Sequence, residues 1–197
     1  MNKAVMASIQ PYYVFLIIAR LMGWNIPQDK KVEGRKDFPK DKAWNKKAHI
    51  YCSKNKKSFN RIPKEYQPLM RPFLGKVIGE FVCDYIDECL PDYNPITGKF
   101  FNYHFYDKIG NGLEDCLTDE ELVDYGKGKP LYGWQISDLK IYDKPKELSE
   151  FRKPLNCGNY DCCVCHNWDR VDLKCIAMNN VLTRPPQSWC YVEEFDV

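Results

Sequence analysis

The feature that most constrains the fold is one strongly apolar helix near the start of the chain, followed almost entirely by short strand-like segments. Pro11 suits the first turn of a helix, where its missing N–H has no partner to lose. The helix then shows apolar residues at helical spacing: Val14, Phe15, Ile17, Ile18, Leu21 and Met22. A stripe this broad predicts a helix packed in a core. The stretch is too short to cross a bilayer and has no small-residue cleavage site, so we expect neither a membrane anchor nor an export signal.

The remaining segments predict an α+β fold. Alternating or β-branched runs predict strands, and the motif Thr118-Asp119-Glu120-Glu121 is a capping box that opens a second, short helix. The predicted strands are Lys3–Ile9, Lys30–Lys36, Ala48–Ser53, Gly75–Tyr85, Tyr132–Ile136, Leu139–Tyr142 and Ser188–Val192. A chain of 197 residues fits one domain, here residues 1–197. We expect a small mixed β-barrel with a few peripheral helices, carrying an aromatic, loop-rich insert over residues 88–112.

The motif Lys30-x-x-Glu33-x-Arg35 is the main candidate for a ligand site. In an extended strand Glu33 and Arg35 point to one face, and Lys30 reaches the same neighbourhood from the start of the strand. A cation, an anion and a planar guanidinium on one face suit a polar ligand such as a nucleobase or a phosphate. The alternatives are a solvated charged surface and an ordinary salt bridge on the barrel wall.

Charge is distributed unevenly along the chain, although the net charge is only +2. Residues 30–64 contain 13 Lys and Arg against 3 acidic residues, whereas residues 80–124 contain 12 acidic residues against Lys99 and Lys108. This asymmetry predicts one face that attracts polyanions and an acidic one that could contact a partner protein. The alternative is that the two segments neutralise each other across the fold.

A cluster of cysteines predicts a structural metal site. The chain has ten cysteines, and four of them follow the spacing Cys157-x4-Cys162-x2-Cys165-x9-Cys175. Without export, clustered thiols in a reducing cytoplasm indicate zinc, which favours four thiolates in a closed tetrahedron. Cys163 or His166 could replace one ligand. The alternatives are a loop of free thiols or a disulfide in another compartment. We therefore predict a cytoplasmic protein with a zinc-stapled insert over residues 157–175.

Taken together, these segments resemble the ASCH domains, small barrels related to the PUA fold, in the elaborated form found in bacteriophages and mobile elements. The resemblance is carried by the opening strand and helix with Ser8 and Pro11, by Lys30-x-x-Glu33-x-Arg35 at the family's G-x-K-x-x-E-x-R position, and by Gly75–Phe81, Leu131–Asp138 and Pro185–Trp189. The leading glycine of the signature is Gln28 here. The resemblance covers most of the chain outside the two inserts.

The resemblance implies a cationic cleft that binds RNA or a modified nucleoside. The implied ligand-binding residues are Lys30, Glu33, Arg35, Lys36, Trp134, Ser188 and Trp189. The two tryptophans are candidates for stacking on a base, and the alternative is that they fill the core. Some ASCH proteins are hydrolases, either ribonucleases or amidohydrolases acting on acetylated cytidine, so Lys30 and Glu33 are an alternative acid–base pair. The amidohydrolase branch has a threonine hydroxyl where this chain has Glu33, and a carboxylate cannot replace an attacking hydroxyl. A third alternative is a phage-encoded inhibitor that binds a host protein through segment 80–124.

The cysteine spacing leads to a direct prediction about metal content. Elemental analysis of the purified protein should find one zinc ion per chain, because a short insert without its own core needs a metal to hold its shape. A folded sample free of metal would contradict this prediction.

Overall fold

The computed structural model describes residues 3–19, 21–26, 30–39, 46–113, 115–154 and 181–193. Within them the chain forms twelve strands and four α-helices. The strands are β1 (Lys3–Ile9), β2 (Val32–Arg35), β3 (Lys46–Cys52), β4 (Val77–Cys83), β5 (Ile86–Cys89), β6 (Asp92–Asn94), β7 (Lys99–Asn102), β8 (Phe105–Tyr106), β9 (Gly112–Leu113), β10 (Leu131–Gln135), β11 (Ser137–Lys146) and β12 (Trp189–Glu193). The helices are α1 (Pro11–Ile18), α2 (Lys56–Phe59), α3 (Gln67–Met70) and α4 (Asp119–Gly126).

A five-stranded mixed sheet forms the larger layer, in the order β11-β4-β3-β1-β12. Strands β1 and β3 are parallel, and the other pairs are antiparallel. Strand β4 can approach β11 closely only because residue 79 is glycine. A Cβ atom there would lie 2.3 Å from the carbonyl oxygen of Lys140.

A three-stranded antiparallel sheet, in the order β2-β10-β5, forms the second layer. The chain passes between the layers four times, from β1 to β2, from β2 to β3, from β4 to β5 and from β10 to β11. The predicted α+β class is confirmed. The predicted barrel is not seen closed: among the described strands, no ladder of hydrogen bonds joins the two sheets. Two further hairpins, β6–β7 and β8–β9, show that the 88–112 insert is built from short strands as well as loops.

The main core lies between helix α1 and the two sheets. Side chains alternate along β1, so Val5, Ala7 and Ile9 face this core whereas Ala4 and Met6 face a smaller apolar cluster on the other side of the sheet. Trp134 from β10 is completely buried in the main core.

Helix α1 is shorter than the apolar pattern predicts. It ends at Ile18, and Gly23 adopts a positive φ of 66° after the following turn. Leu21 and Met22 are therefore exposed, and their predicted place in the core is wrong. The capping box of the second predicted helix is confirmed, because Thr118 and Glu121 cap each other at the start of α4.

The predicted zinc ligands Cys157, Cys162, Cys165 and Cys175 lie outside the described residues. Within the described ranges, no group of three or more His, Cys, Asp or Glu residues is arranged to hold a metal ion. None of the helices described here has the length and apolar character needed to cross a membrane.

The burial of Trp134 predicts a large effect of truncation. Replacing Trp134→Ala should lower the free energy of unfolding by about 3–5 kcal/mol, because it removes the largest fully buried side chain and leaves a cavity. Urea unfolding followed by circular dichroism measures the change. Leu69→Ala is the control, since Leu69 is 51% exposed and should change stability little. Equal effects of the two substitutions would contradict the assignment of Trp134 to the core.

Candidate functional site

Strand β2 places the charged motif on one face of the smaller sheet. It pairs with β10 so that Glu33 lies opposite Trp134 and Arg35 lies opposite Tyr132. Val32 packs into a satellite apolar cluster with Phe105, on the other face of β2 from Glu33 and Arg35. Gly133 makes this packing possible, since a Cβ atom there would lie 2.5 Å from the Phe105 ring.

Glu33 joins the two cations of the motif. Its Oε1 lies 3.0 Å from Nη2 of Arg35, and its Oε2 lies 3.5 Å from Nζ of Lys30. All three side chains are buried, with 3–7% of each residue exposed. Moving an unpaired charged group from water into the protein costs several kcal/mol of folding free energy. Because the three side chains are paired, their mutual attraction offsets part of this desolvation cost.

The Arg35 side chain links three segments of the chain by hydrogen bonds. Its Nη1 donates to the carbonyl and hydroxyl oxygens of Ser188, both at 3.2 Å, and its Nη2 donates to the carbonyl oxygen of Ser8 at 3.1 Å. Both terminal nitrogens are therefore occupied by the protein. The sequence-based expectation that Arg35 forks onto a phosphate is not supported by this geometry.

Lys30 has a comparable structural role. Its Nζ donates to the carbonyl oxygen of Asp115 at 2.5 Å and lies 5.3 Å from the centre of the Tyr13 ring. The Asp115 side chain is also buried, and burial raises the pKa of its carboxyl group although the Lys30 ammonium opposes this shift. Lys30 thus has Glu33 and Asp115 as its two acidic neighbours.

The side chains of Lys30, Glu33 and Arg35 form the floor of a cleft of about 810 Å³. Its rim carries three exposed lysines, Lys36, Lys57 and Lys127, and two acidic residues, Glu121 and Asp124. Within the described residues, none of the three lysines forms an ion pair, although Lys36 Nζ lies 4.6 Å from the centre of the Tyr125 ring.

Arg61 stabilises one side of the cleft. Its Nη1 lies 3.0 Å from Oε1 of Glu121 and donates to the hydroxyl of Tyr13 at 3.2 Å. Its guanidinium carbon stacks 4.2 Å from the centre of the Tyr12 ring. The contact joins the basic and acidic segments, so part of their charge is neutralised within the fold.

The structure places five of the seven predicted ligand-binding residues at this cleft: Lys30, Glu33, Arg35, Lys36 and Ser188. The two tryptophans are not among its lining residues. Trp134 has no exposed surface on which a base could stack, and Trp189 packs against it with ring centres 6.0 Å apart. Burial therefore contradicts the predicted stacking role of Trp134. Tyr13 and Tyr125 are the aromatic side chains that do line the cleft.

Sequence reasoning missed several lining residues for a physical reason. Tyr13, Asp124 and Tyr125 of the lining, and Asp115 next to Lys30, come close to the motif only through contacts between segments far apart in the chain, such as the Lys30–Asp115 hydrogen bond across 85 positions. The one local signal was that Tyr13 lies in α1 but is not part of its buried apolar stripe.

A second buried polar network lies on the five-stranded sheet and takes no part in the cleft. The Tyr142 hydroxyl donates to Oε2 of Glu80 at 2.7 Å and lies 2.8 Å from Nδ1 of His49. Burial lowers the pKa of His49 to about 4, so its ring is neutral near pH 7. Its neighbours in three adjacent strands satisfy the network internally, which indicates a structural role.

No protein-family model matches the chain, and no curated protein matches it. Two solved structures share part of its shape. The crystal structure of an ASCH protein from Zymomonas mobilis is 17% identical, with a match that covers 97% of this chain and 88% of that one at a TM-score of 0.47. A point mutant of the Zymomonas mobilis protein is 16% identical, with 98% and 92% covered at a TM-score of 0.48. Both scores are below 0.5, so these likenesses do not assign the chain to a family.

The contacts of Arg35 predict that even a conservative change destabilises the protein. Arg35→Lys should lower the free energy of unfolding by about 1–3 kcal/mol, because one ammonium group cannot replace the planar fork that reaches Ser8, Glu33 and Ser188. Chemical unfolding measures the loss. The control is Lys36→Arg at the neighbouring exposed position, which should leave stability unchanged. An equally small effect of Arg35→Lys would show that the Arg35 hydrogen bonds do not stabilise the fold.

Proposed function

We propose that this protein binds RNA or a nucleoside in the cleft over the Lys30–Glu33–Arg35 cluster, as the resemblance of its sequence to ASCH domains implies. The observation that carries the proposal is the division of the cleft into a buried, internally paired floor and a rim of exposed lysines that form no ion pair with any described residue. Such an arrangement offers a polar end for a base and a cationic end for phosphates.

The phosphates belong at the rim rather than on the floor. The floor contains the buried carboxylate of Glu33, and both terminal nitrogens of Arg35 are already used by the protein. A phosphate placed there would be repelled by Glu33 and would find no free guanidinium fork. Lys36, Lys57 and Lys127 are exposed and can release counterions when they meet a phosphate.

The base belongs towards the floor. Within the described residues, Oε2 of Glu33, Nε of Arg35 and the hydroxyl of Ser53 are buried without a hydrogen-bond partner. They offer an acceptor, a donor and a hydroxyl, the kinds of group that bond the amino groups, ring nitrogens and carbonyls of a base. These atoms are covered, so a base reaches them when a neighbouring side chain rotates. Tyr13 and Tyr125 supply aromatic surface along the way.

Salt dependence tests the assignment of the rim lysines. For a single-stranded RNA, the double substitution of Lys57→Ala with Lys127→Ala should weaken binding and make the slope of log K against log salt shallower by roughly 1.4, about 0.7 for each lost phosphate contact. Fluorescence anisotropy over a series of salt concentrations measures both quantities.

The matched control is Lys99→Ala with Lys144→Ala, which removes the same charge from exposed positions that do not line the cleft. It should leave the slope nearly unchanged. Identical slopes for the two double variants, or binding that does not depend on salt, would overturn the proposed phosphate contacts.

A further inference from the structure

A second cavity, of about 700 Å³, lies beside the insert and adjoins the cleft over the Lys30–Glu33–Arg35 cluster at Leu117, which lines both. It is lined by the β8–β9 hairpin, the start of α4 and the segment between them. Aromatic side chains form much of its wall: Tyr103 and Phe105 are buried, whereas Tyr106 is 44% exposed. The proposed RNA-binding function makes no use of this cavity.

Asp115 lines the cavity and carries a carboxylate oxygen with no partner. Its residue is 6% exposed, its Oδ1 accepts a hydrogen bond from the Leu117 amide at 3.0 Å, and its Oδ2 is buried without a hydrogen bond in the described part of the chain. A Cβ atom built on Gly34 would lie 4.0 Å from this Oδ2 and 3.4 Å from the Phe105 ring. The free oxygen therefore lies on the Phe105 side of β2, and both Asp115 and Phe105 line this cavity. This oxygen is covered, so an incoming group reaches it when a wall side chain rotates.

The lining favours a cation. Among its described residues, Asp115 and Asp119 are acidic and none is Lys or Arg. Aromatic faces attract ammonium and guanidinium groups, and a buried carboxylate oxygen without a donor gains a charge-assisted hydrogen bond from them. The Lys30 ammonium bonds the backbone oxygen of Asp115, which leaves Oδ2 without a hydrogen bond.

The surface around the cavity indicates which kind of molecule carries that cation. Of the ten exposed large apolar side chains in the described residues, seven lie between Leu90 and Ile109, in the hairpins that carry Tyr106. Ile96 is 93% exposed and Ile109 is 83% exposed. Exposed apolar side chains this concentrated are typical of a protein contact, and the acidic residues Asp87, Glu88 and Asp92 of the insert favour a basic partner.

We propose that the cavity at Asp115 receives a lysine or arginine side chain of a basic partner protein, with the apolar hairpins contacting the residues that flank it. The side-chain cation bonds Oδ2 of Asp115 and packs against the Phe105 and Tyr106 rings. The partner does not occupy the place of the RNA, because among the described residues its site and the cleft have only Leu117 in common.

The test uses the full chain labelled with ¹⁵N and two short peptides of identical apolar sequence, one with a central lysine and the other with norleucine. The lysine peptide should shift the amide signals of residues that line the cavity and bind at least tenfold more tightly than the norleucine peptide. Spermidine is the third ligand. Spermidine binding as tight as that of the lysine peptide would overturn the protein-partner proposal, because the flanking apolar contacts would then contribute nothing.

Three variants locate the site. Asp115→Asn and Tyr106→Ala should each weaken the lysine peptide about tenfold, whereas Glu65→Gln, which removes an exposed acid that does not line the cavity, should have no effect. Tyr106 is exposed, so its replacement tests the site even where Asp115→Asn fails to fold. Equal weakening by Glu65→Gln, or signal shifts spread evenly over the acidic surface, would show non-specific charge attraction and overturn the proposal.

Discussion

The pairing of Glu33 with Lys30 and Arg35 is the interaction on which the rest of this site depends. Three charged residues are buried where β2, the end of β1 and the segment before β12 meet. Their mutual attraction offsets the several kcal/mol that each ion loses on leaving water, but it gives little net stability compared with apolar residues of the same volume. What the cluster does supply is a defined geometry, because its ion pairs and its hydrogen bonds to Ser8, Asp115 and Ser188 fix the positions of the side chains.

This constraint separates structural charges from binding charges. The terminal nitrogens of Arg35 and the ammonium group of Lys30 are occupied by backbone and side-chain oxygens, so they position the floor of the cleft and leave the phosphates to other groups. The exposed lysines at the rim have rotamer freedom and can follow a phosphate backbone. The motif Lys30-x-x-Glu33-x-Arg35, which resembles a binding site in the sequence, therefore mainly holds the cleft in shape.

The sequence predicts the parts of the molecule that depend on local periodicity. Period-two alternation puts Glu33 and Arg35 on one face, and the capping box defines the start of α4. It does not predict the end of α1, because the apolar pattern continues through Leu21 and Met22 after the helix has stopped.

The contents of the site are harder to predict than the strand that carries it. The role of Arg35 depends on carbonyl groups of Ser8 and Ser188, which lie 27 and 153 positions away in the chain. Trp134 illustrates the same limit: an aromatic residue next to a charged motif can be a stacking platform or core, and only the packing of two sheets decides which. Asp115 had no local pattern that pointed to Lys30.

The basic and acidic segments of the sequence neutralise each other at some places in the fold and remain separate at others. Where the segments meet, as at Arg61 and Glu121, opposite charges pair and the asymmetry disappears. Where they do not meet, the cleft keeps exposed lysines at its rim, and the second cavity keeps acids with no cation among its described lining residues. Lys30 stands between the two, close to Glu33 on one side and to Asp115 on the other. Because these groups are buried, screening by salt is weak there, and a charge bound at either cavity changes the electrostatic potential at the other.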